Sequence, residues 1–409
     1  MLNKRTLLVF GAACASVGYI FSIASGSIGI MIFIFAWLIN FKNHEFNNLF
    51  RNRSYNLLAS FFIFLLIGAA YSVNINQAHR EIIRHLSFVI IPFLFVTIKP
   101  FNRREIRIIF KVFTYSLMIF FAICLLNAIH RQIVFFNEGG IFNWYFFYRY
   151  DFLEIFSQHP TYISMFTLLS LSFLVFSDKA NVLIKSKPLS ILLMLIHILA
   201  ILFYGSRIAY IIFFVLVIIY LIQIFRSGRF RELIILIMLF MSILYAGWNV
   251  PIIKERVLYT LGVKYDYKFN EKEFIKEKTP EEKGRLLKWQ DALELIKEKP
   301  LLGYGTGSSR DVLLEKYEEK GHTLFLENRF NAHNMYLELL LIGGIPLLLI
   351  YILILFSLFK VALKENDKVI FSFFIIISLT SITETIFFAQ GIIFFAFFYC
   401  LFLNKIENQ

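Results

Sequence analysis

Apolar residues in this chain come in long, nearly unbroken runs separated by short polar connectors. A helix needs about 20 mostly apolar residues to cross a bilayer, and runs of that kind read as membrane spans. Twelve can be marked, with boundaries good to about three residues. They are Leu7–Phe21, Ser25–Phe41, Leu57–Ser72, Leu86–Ile98, Ile108–Ile129, Thr161–Phe176, Leu189–Tyr204, Ile208–Phe225, Leu233–Trp248, Ile345–Phe359, Val369–Phe387 and Gly391–Leu403. The first two form a tight hairpin around Ser22 to Gly26. The pattern predicts an all-α polytopic membrane protein of about 12 spans.

One hydrophilic insert, about Val250 to Arg329, interrupts the series between the ninth and tenth spans. It divides the chain into residues 1–248 (nine spans), 249–333 (a folded, mostly helical loop domain) and 334–409 (an interfacial helix and three spans). Thr279-Pro280-Glu281-Glu282 is a helix start, with Thr as N-cap and Pro at the first helical position. Leu286, Trp289, Leu293 and Ile296 then make an apolar stripe at helical spacing. Lys299-Pro300 ends that helix. Gly303-Tyr304-Gly305-Thr306-Gly307 lacks the Lys-Ser/Thr ending of a nucleotide loop and reads as a tight connection. A short helix is expected over Asp311–Glu319. Another begins near Asn334 and breaks at Gly343-Gly344-Ile345-Pro346, which leaves Met335–Ile342 at the interface.

The composition agrees: of 409 residues, 58% are hydrophobic, and the mean hydropathy is +0.69. The 50 Phe residues are ordinary apolar filler. Leu7 to Ile20 is followed at once by a second span with no small-residue cleavage site, so no cleavable signal peptide is expected. The net charge of +13 does not point to nucleic acid, because the excess lies in connectors between spans. Alternate connectors are basic, as cytoplasmic loops are: Lys42/Arg51/Arg53, Lys99/Arg103/Arg104/Arg107, Lys179/Lys185/Lys187, Arg226/Arg229/Arg231 and Lys360/Lys364/Lys368. Both termini are then cytoplasmic. The opposite face holds Asn74–Arg84, Arg131–Gln158, the Gly205-Ser206-Arg207 turn and the insert. Cys14, Cys124 and Cys400 all lie in apolar runs, with no metal spacing and no expected disulfide.

Candidate chemistry gathers on that opposite face. His333, in Asn331-Ala332-His333-Asn334, stands where the insert meets a new helix. The helix dipole disfavours imidazolium there, which suits a general base; the plainer reading is a capping histidine. Arg207 follows Gly205-Ser206 at the head of a span. It can clamp a diphosphate bidentately or merely snorkel to lipid phosphate. Arg285 lies four residues before Trp289 on the capped helix, where a charge is usually just a solvated face. His159-Pro160-Thr161-Tyr162 opens the sixth span. Glu384 is an ionisable group in an apolar run, and its plainer reading is an ion pair with an arginine such as Arg207. His197, mid-span, is read as structural. No Asp-x-Asp pair on this face and no zinc-like His/Glu spacing indicates a metal.

Read together, these pieces resemble the O-antigen ligase family, related to O-antigen polymerases and protein O-oligosaccharyltransferases. The resemblance rests on order: Gly-Ser-Arg (Gly205 to Arg207), Gly-Arg…Trp (Gly284, Arg285, Trp289), Pro-Leu-Leu-Gly-x-Gly (Pro300 to Gly305), Ala-His-Asn (Ala332 to Asn334) and Gly343-Gly344. It covers about Gly205 to Phe359; the earlier spans fit only as a hydropathy pattern. It implies a GT-C-like glycosyltransferase of the bacterial inner membrane, working on the periplasmic face without metal, cofactor or nucleotide sugar. The donor it implies is a glycan on undecaprenyl diphosphate, and the ligase acceptor is the lipid A-core sugar. His333 would be the base, with Arg207 and Arg285 on the diphosphate. Asn334, His159, Tyr162, Ser206, Trp289 and Glu384 are the expected substrate-binding residues.

Polymerases share this signature, so acceptor identity stays open. A transporter or flippase is the competing class, but no repeat between halves supports it. A non-catalytic scaffold is the last alternative.

Overall fold

The computed structural model describes residues 3–41, 49–177, 186–228, 281–387 and 390–407, with single positions at 46, 230, 238, 245 and 249. The expected ninth span, the first part of the insert and the Thr279-Pro280 cap lie outside the described residues. Among the described residues the secondary structure is helical, with no strand. Five of the described helices are long and apolar enough to cross a membrane, and five shorter apolar helices accompany them among the described residues. The chain is thus a multi-pass membrane protein.

Helices α1 (Lys4–Phe21) and α2 (Ile23–Ile39) form the expected hairpin, with Ser22 as the N-cap of α2. Glycines let the two backbones touch: a Cβ on Gly18 would sit 2.2 Å from the Ser25 carbonyl oxygen, and one on Gly29 2.5 Å from that of Cys14. Small residues at such crossings are how helices pack where lipid removes the hydrophobic drive. Next come α3 (Arg53–Ala70), α4 (Ile75–His85), α5 (Ser87–Thr97) and α6 (Arg103–Asn137). The run read as a fourth span is α5, only 11 residues long and containing Pro92. At 1.5 Å per residue it falls well short of a full crossing. Helix α6 is longer than expected at 35 residues and starts at a capping box made by Asn102 and Glu105.

After the short α7 (Arg149–Phe152), α8 (Pro160–Phe176), α9 (Lys187–Tyr204) and α10 (Arg207–Arg226) match their expected spans. On α10, Ile211, Ile218, Ile222 and Phe225 are exposed, as lipid contact requires. His197 is buried in a polar link between helices: its Nε2 meets Ser170 Oγ at 2.9 Å, and Ser170 in turn meets Thr114 Oγ1 at 2.8 Å.

The described part of the insert is α11 (Glu281–Glu298), α12 (Ser309–Glu319) and α13 (Thr323–Glu327). Its small core includes Ala292, Leu295, Ile296, Leu313, Tyr317 and Phe325. The expected apolar stripe needs correction, because Leu286 and Leu293 are exposed while Lys288 and Asp291 are buried. Pairing explains the swap, since buried charges are tolerated when they have partners. Asp291 takes Lys320 at 2.8 Å and His322 at 3.0 Å. The Lys288 ammonium lies 4.3 Å from the Phe330 ring centre.

The chain ends in α14 (Met335–Lys364), α15 (Lys368–Thr383) and α16 (Gln390–Glu407). Helix α14 breaks where expected: Gly343 and Gly344 leave helical geometry, and Gly344 has φ 64°. The break frees carbonyls that the glycine-rich loop satisfies. Tyr304 N–H donates to Leu341 O at 2.7 Å and Gly305 N–H to Ile342 O at 3.0 Å. Thr306 N–H donates to Gly68 O of α3, and Gly307 N–H to Ser72 Oγ. With those amides engaged, the loop is a connector, as read from the sequence. Helix α16 is central: Phe394, Phe395, Phe397 and Phe398 are fully buried. Phe394 and Phe398 join Phe113 and Phe373 in an aromatic core of edge-on, tilted and stacked rings.

Candidate active site

Five helix ends meet at one end of the bundle: the starts of α8, α10 and α14 and the last turns of α9 and α15. The insert's α11 and α13 close over them. Between these elements lies a cavity of about 290 Å³. His159, Ser206, Arg207, Arg285, His333 and Glu384 line it together. Six of the nine residues singled out in the sequence therefore share one space. Tyr162, Trp289 and Asn334 are not among its lining residues.

Local chemistry explains each placement. Asn334 is the N-cap of α14, its side chain accepting the amides of Tyr336 at 2.9 Å and Leu337 at 3.2 Å. That cap sets His333 immediately before the helix, in a left-handed conformation with φ 46°. The carboxylate of Glu384 stands beside it, Oε2 being 3.3 Å from His333 Nδ1, and Glu384 Oε1 takes Arg285 Nη2 at 3.1 Å. The arginine expected opposite Glu384 is thus Arg285, contributed by the insert. Glu384 is also the C-cap of α15, which ends at Thr383, four residues short of the expected Phe387. A carboxylate at a helix C-terminus is disfavoured by the dipole. Burial pushes its pKa up further, but the hydrogen bond from His333 and the charges of His159, His333 and Arg285 outweigh this. The net result holds Glu384 below the usual carboxylate range.

An ionised Glu384 can only accept, so His333 donates from Nδ1, and in the neutral ring that tautomer leaves the Nε2 lone pair for a proton. His159 has a different post. Its Nδ1 accepts the Thr161 amide at 3.3 Å as N-cap of α8. Its Nε2 therefore donates to the Tyr150 hydroxyl at 3.0 Å. Burial lowers the His159 pKa, Glu384 works against this, and His333, Arg149 and Arg285 reinforce it. Tyr162 is buried beneath the site and donates to the Thr385 carbonyl at 3.0 Å.

Arg207 occupies the first position of α10, after Ser206, whose side chain makes no capping bond. Ser206 Oγ instead meets Thr161 Oγ1 at 3.3 Å, joining the starts of α8 and α10. Gly205 turns the chain between α9 and α10 with φ 62°, and Tyr148 and Arg149 fill the space where a Cβ would stand. Among the cavity residues that the sequence reading missed are Arg149, Tyr150 and Lys288. Lys288 was legible, since it stands three residues after Arg285 and so on the same helical face. Arg149 and Tyr150 carry no such signal, because their connector has no periodicity.

With four cations and three helix N-termini around Glu384, the cavity suits an anionic ligand. Among the described residues no cluster of His, Cys, Asp or Glu is arranged to hold a metal ion. No curated protein matches the chain. Residues 190–352 match the family model described as O-antigen ligase, a stretch that holds Arg207, Arg285 and His333 but not His159 or Glu384. Over that stretch the chain is similar to the O-antigen ligase family.

Proposed function

We propose that this protein is a membrane glycosyltransferase that moves a glycan from undecaprenyl diphosphate to a hydroxyl of the lipid A-core, on the periplasmic face of the inner membrane. The observation that carries the reading is the shared cavity, in which His333, paired with Glu384, faces the same space as Arg207 and Arg285. The acceptor hydroxyl gives its proton to His333 Nε2 while its oxygen attacks the anomeric carbon. The new glycosidic bond forms as the bond from that carbon to the diphosphate oxygen breaks. The diphosphate leaves with the electron pair, and Arg207 and Arg285 stabilise its growing charge. Attack opposite the leaving group inverts the anomeric centre. Glu384 orients the imidazole and offsets the positive charge it acquires.

The test is the surface lipopolysaccharide of cells lacking this chain, complemented with wild type or His333→Ala. The expected profile for the deletion and for His333→Ala is bare core with lipid-linked polymer accumulating. Core carrying a single repeat unit would assign a polymerase instead. An O-chain restored by His333→Ala at normal protein levels would refute the catalytic reading.

A further inference from the structure

We propose that Asn331 is a positioning residue that sets the distance between His333 and Glu384, with Thr385 as its counterpart; this rests on the reading of His333 as the base. The side chain of Asn331 faces two ways. Its Oδ1 accepts the backbone N–H of His333 at 2.9 Å, a turn closed by the side chain two residues back. That turn holds His333 at φ 46°, in the left-handed region that a residue with a Cβ seldom adopts. Its Nδ2 donates to Thr385 Oγ1 at 2.9 Å, a partner 54 residues further along the chain. Thr385 directly follows Glu384. One amide therefore joins the turn that presents the imidazole to the segment that presents the carboxylate.

The segment beyond α15 is anchored by the buried Ile386 and Phe387, the latter packed against Phe61, Phe88 and Tyr351, and at Thr385 by two hydrogen bonds. Tyr162 fixes the Thr385 carbonyl, and Asn331 fixes its hydroxyl. On the other side, the Ala332 amide reaches Glu338 Oε2 at 3.4 Å, a weaker tie. The His333–Glu384 contact is itself long at 3.3 Å, near the limit at which a hydrogen bond keeps its strength. A shift of a few tenths of an ångström would undo it. Asparagine suits the role because one side chain both accepts and donates. Aspartate would keep the turn and lose the bridge; alanine would lose both.

The experiment uses the full-length protein in lipid nanodiscs. The donor is the lipid-linked glycan extracted from the deletion strain, and the acceptor is that strain's core glycolipid. Asn331→Ala is expected to lower kcat about 10–100-fold, with KM for the donor within about twofold, since no substrate contact is lost. Thr385→Val should behave alike, and Thr385→Ser, which keeps the hydroxyl, should restore most of the rate. Combined with Glu384→Gln, Asn331→Ala should add almost nothing, because both act through the same contact. Wild-type kcat in Asn331→Ala, a loss confined to KM, or losses that multiply in the double variant would each overturn the inference while leaving the base assignment standing. Full activity in His333→Ala would overturn the base assignment and this inference with it.

Discussion

His333 and Glu384 meet through one hydrogen bond, and the sharpest expectations lie there. His333→Ala should reduce the transfer rate by about 10²–10⁴-fold, the usual contribution of a general base. Glu384→Gln keeps the shape and removes the charge, and a loss of about 100-fold is expected from misorientation of the ring. Both are measured as initial rates in membranes at matched protein levels. Glu384 also makes a pH prediction. Its pKa is lowered in the folded protein, so its ionisation stabilises the fold above the ordinary carboxylate range. That contribution disappears as pH falls through the lowered value. Thermal unfolding of wild type against Glu384→Gln should therefore differ at neutral pH and converge in acid. Arg207→Lys should also lose most of the rate, because an ammonium cannot reproduce the guanidinium fork on a diphosphate.

At the level of elements, caps and turns carry the site. Asn334 lies outside the cavity lining, yet Asn334→Ala removes the acceptor for two amides at the start of α14. A cost of about 1 kcal/mol is expected, read as a lowered melting temperature of the purified protein, with a lowered rate because His333 is the preceding residue. Gly205→Ala places a Cβ where φ is 62° and where Tyr148 and Arg149 already stand. A loss of about 1–2 kcal/mol from the backbone conformation alone is expected, and the turn presenting Arg207 should shift with it. These positions also mark what the sequence could disclose. Asn334 and Gly205 were legible as motif members, but their structural duties were not, because a cap and a close approach depend on which neighbours arrive. Leu286 and Leu293 were misread because periodicity alone counts apolar residues and cannot see that Lys288 and Asp291 find buried partners.

Across the whole molecule, hydropathy located the apolar helices among the described residues, since lipid demands apolar runs and internally bonded backbone, but not the polar α4 or the short α7 and α13. It could not separate the short α5 from a full crossing, because a buried helix and a spanning one share the same composition. The order of motifs anticipated that Arg207, Arg285 and His333 would meet, whereas the pairing of Glu384 with Arg285 required the fold. The burial of α16 leads to a further expectation. The stretch matching the family model ends at residue 352, yet Phe394, Phe395, Phe397 and Phe398 fill the centre of the bundle. A fragment spanning only residues 186–364 should aggregate on detergent extraction, as judged by size-exclusion chromatography, whereas the full chain should elute as a single species.

The base and its carboxylate also share a hairpin. The part of α14 after Gly344 pairs with α15 across the turn at residues 365–367, and the break at Gly343-Gly344 lets His333, two residues before α14, meet Glu384, the residue after α15. This connectivity makes the site sensitive to length in one place and indifferent in another. One alanine inserted within α15 would rotate Glu384 by about 100° and move it about 1.5 Å. One inserted among Glu365, Asn366 and Asp367, at the far end of the hairpin, leaves both helices in register. Lineages of this protein should therefore accumulate insertions and deletions in that distal turn and almost none in the two helices that flank it.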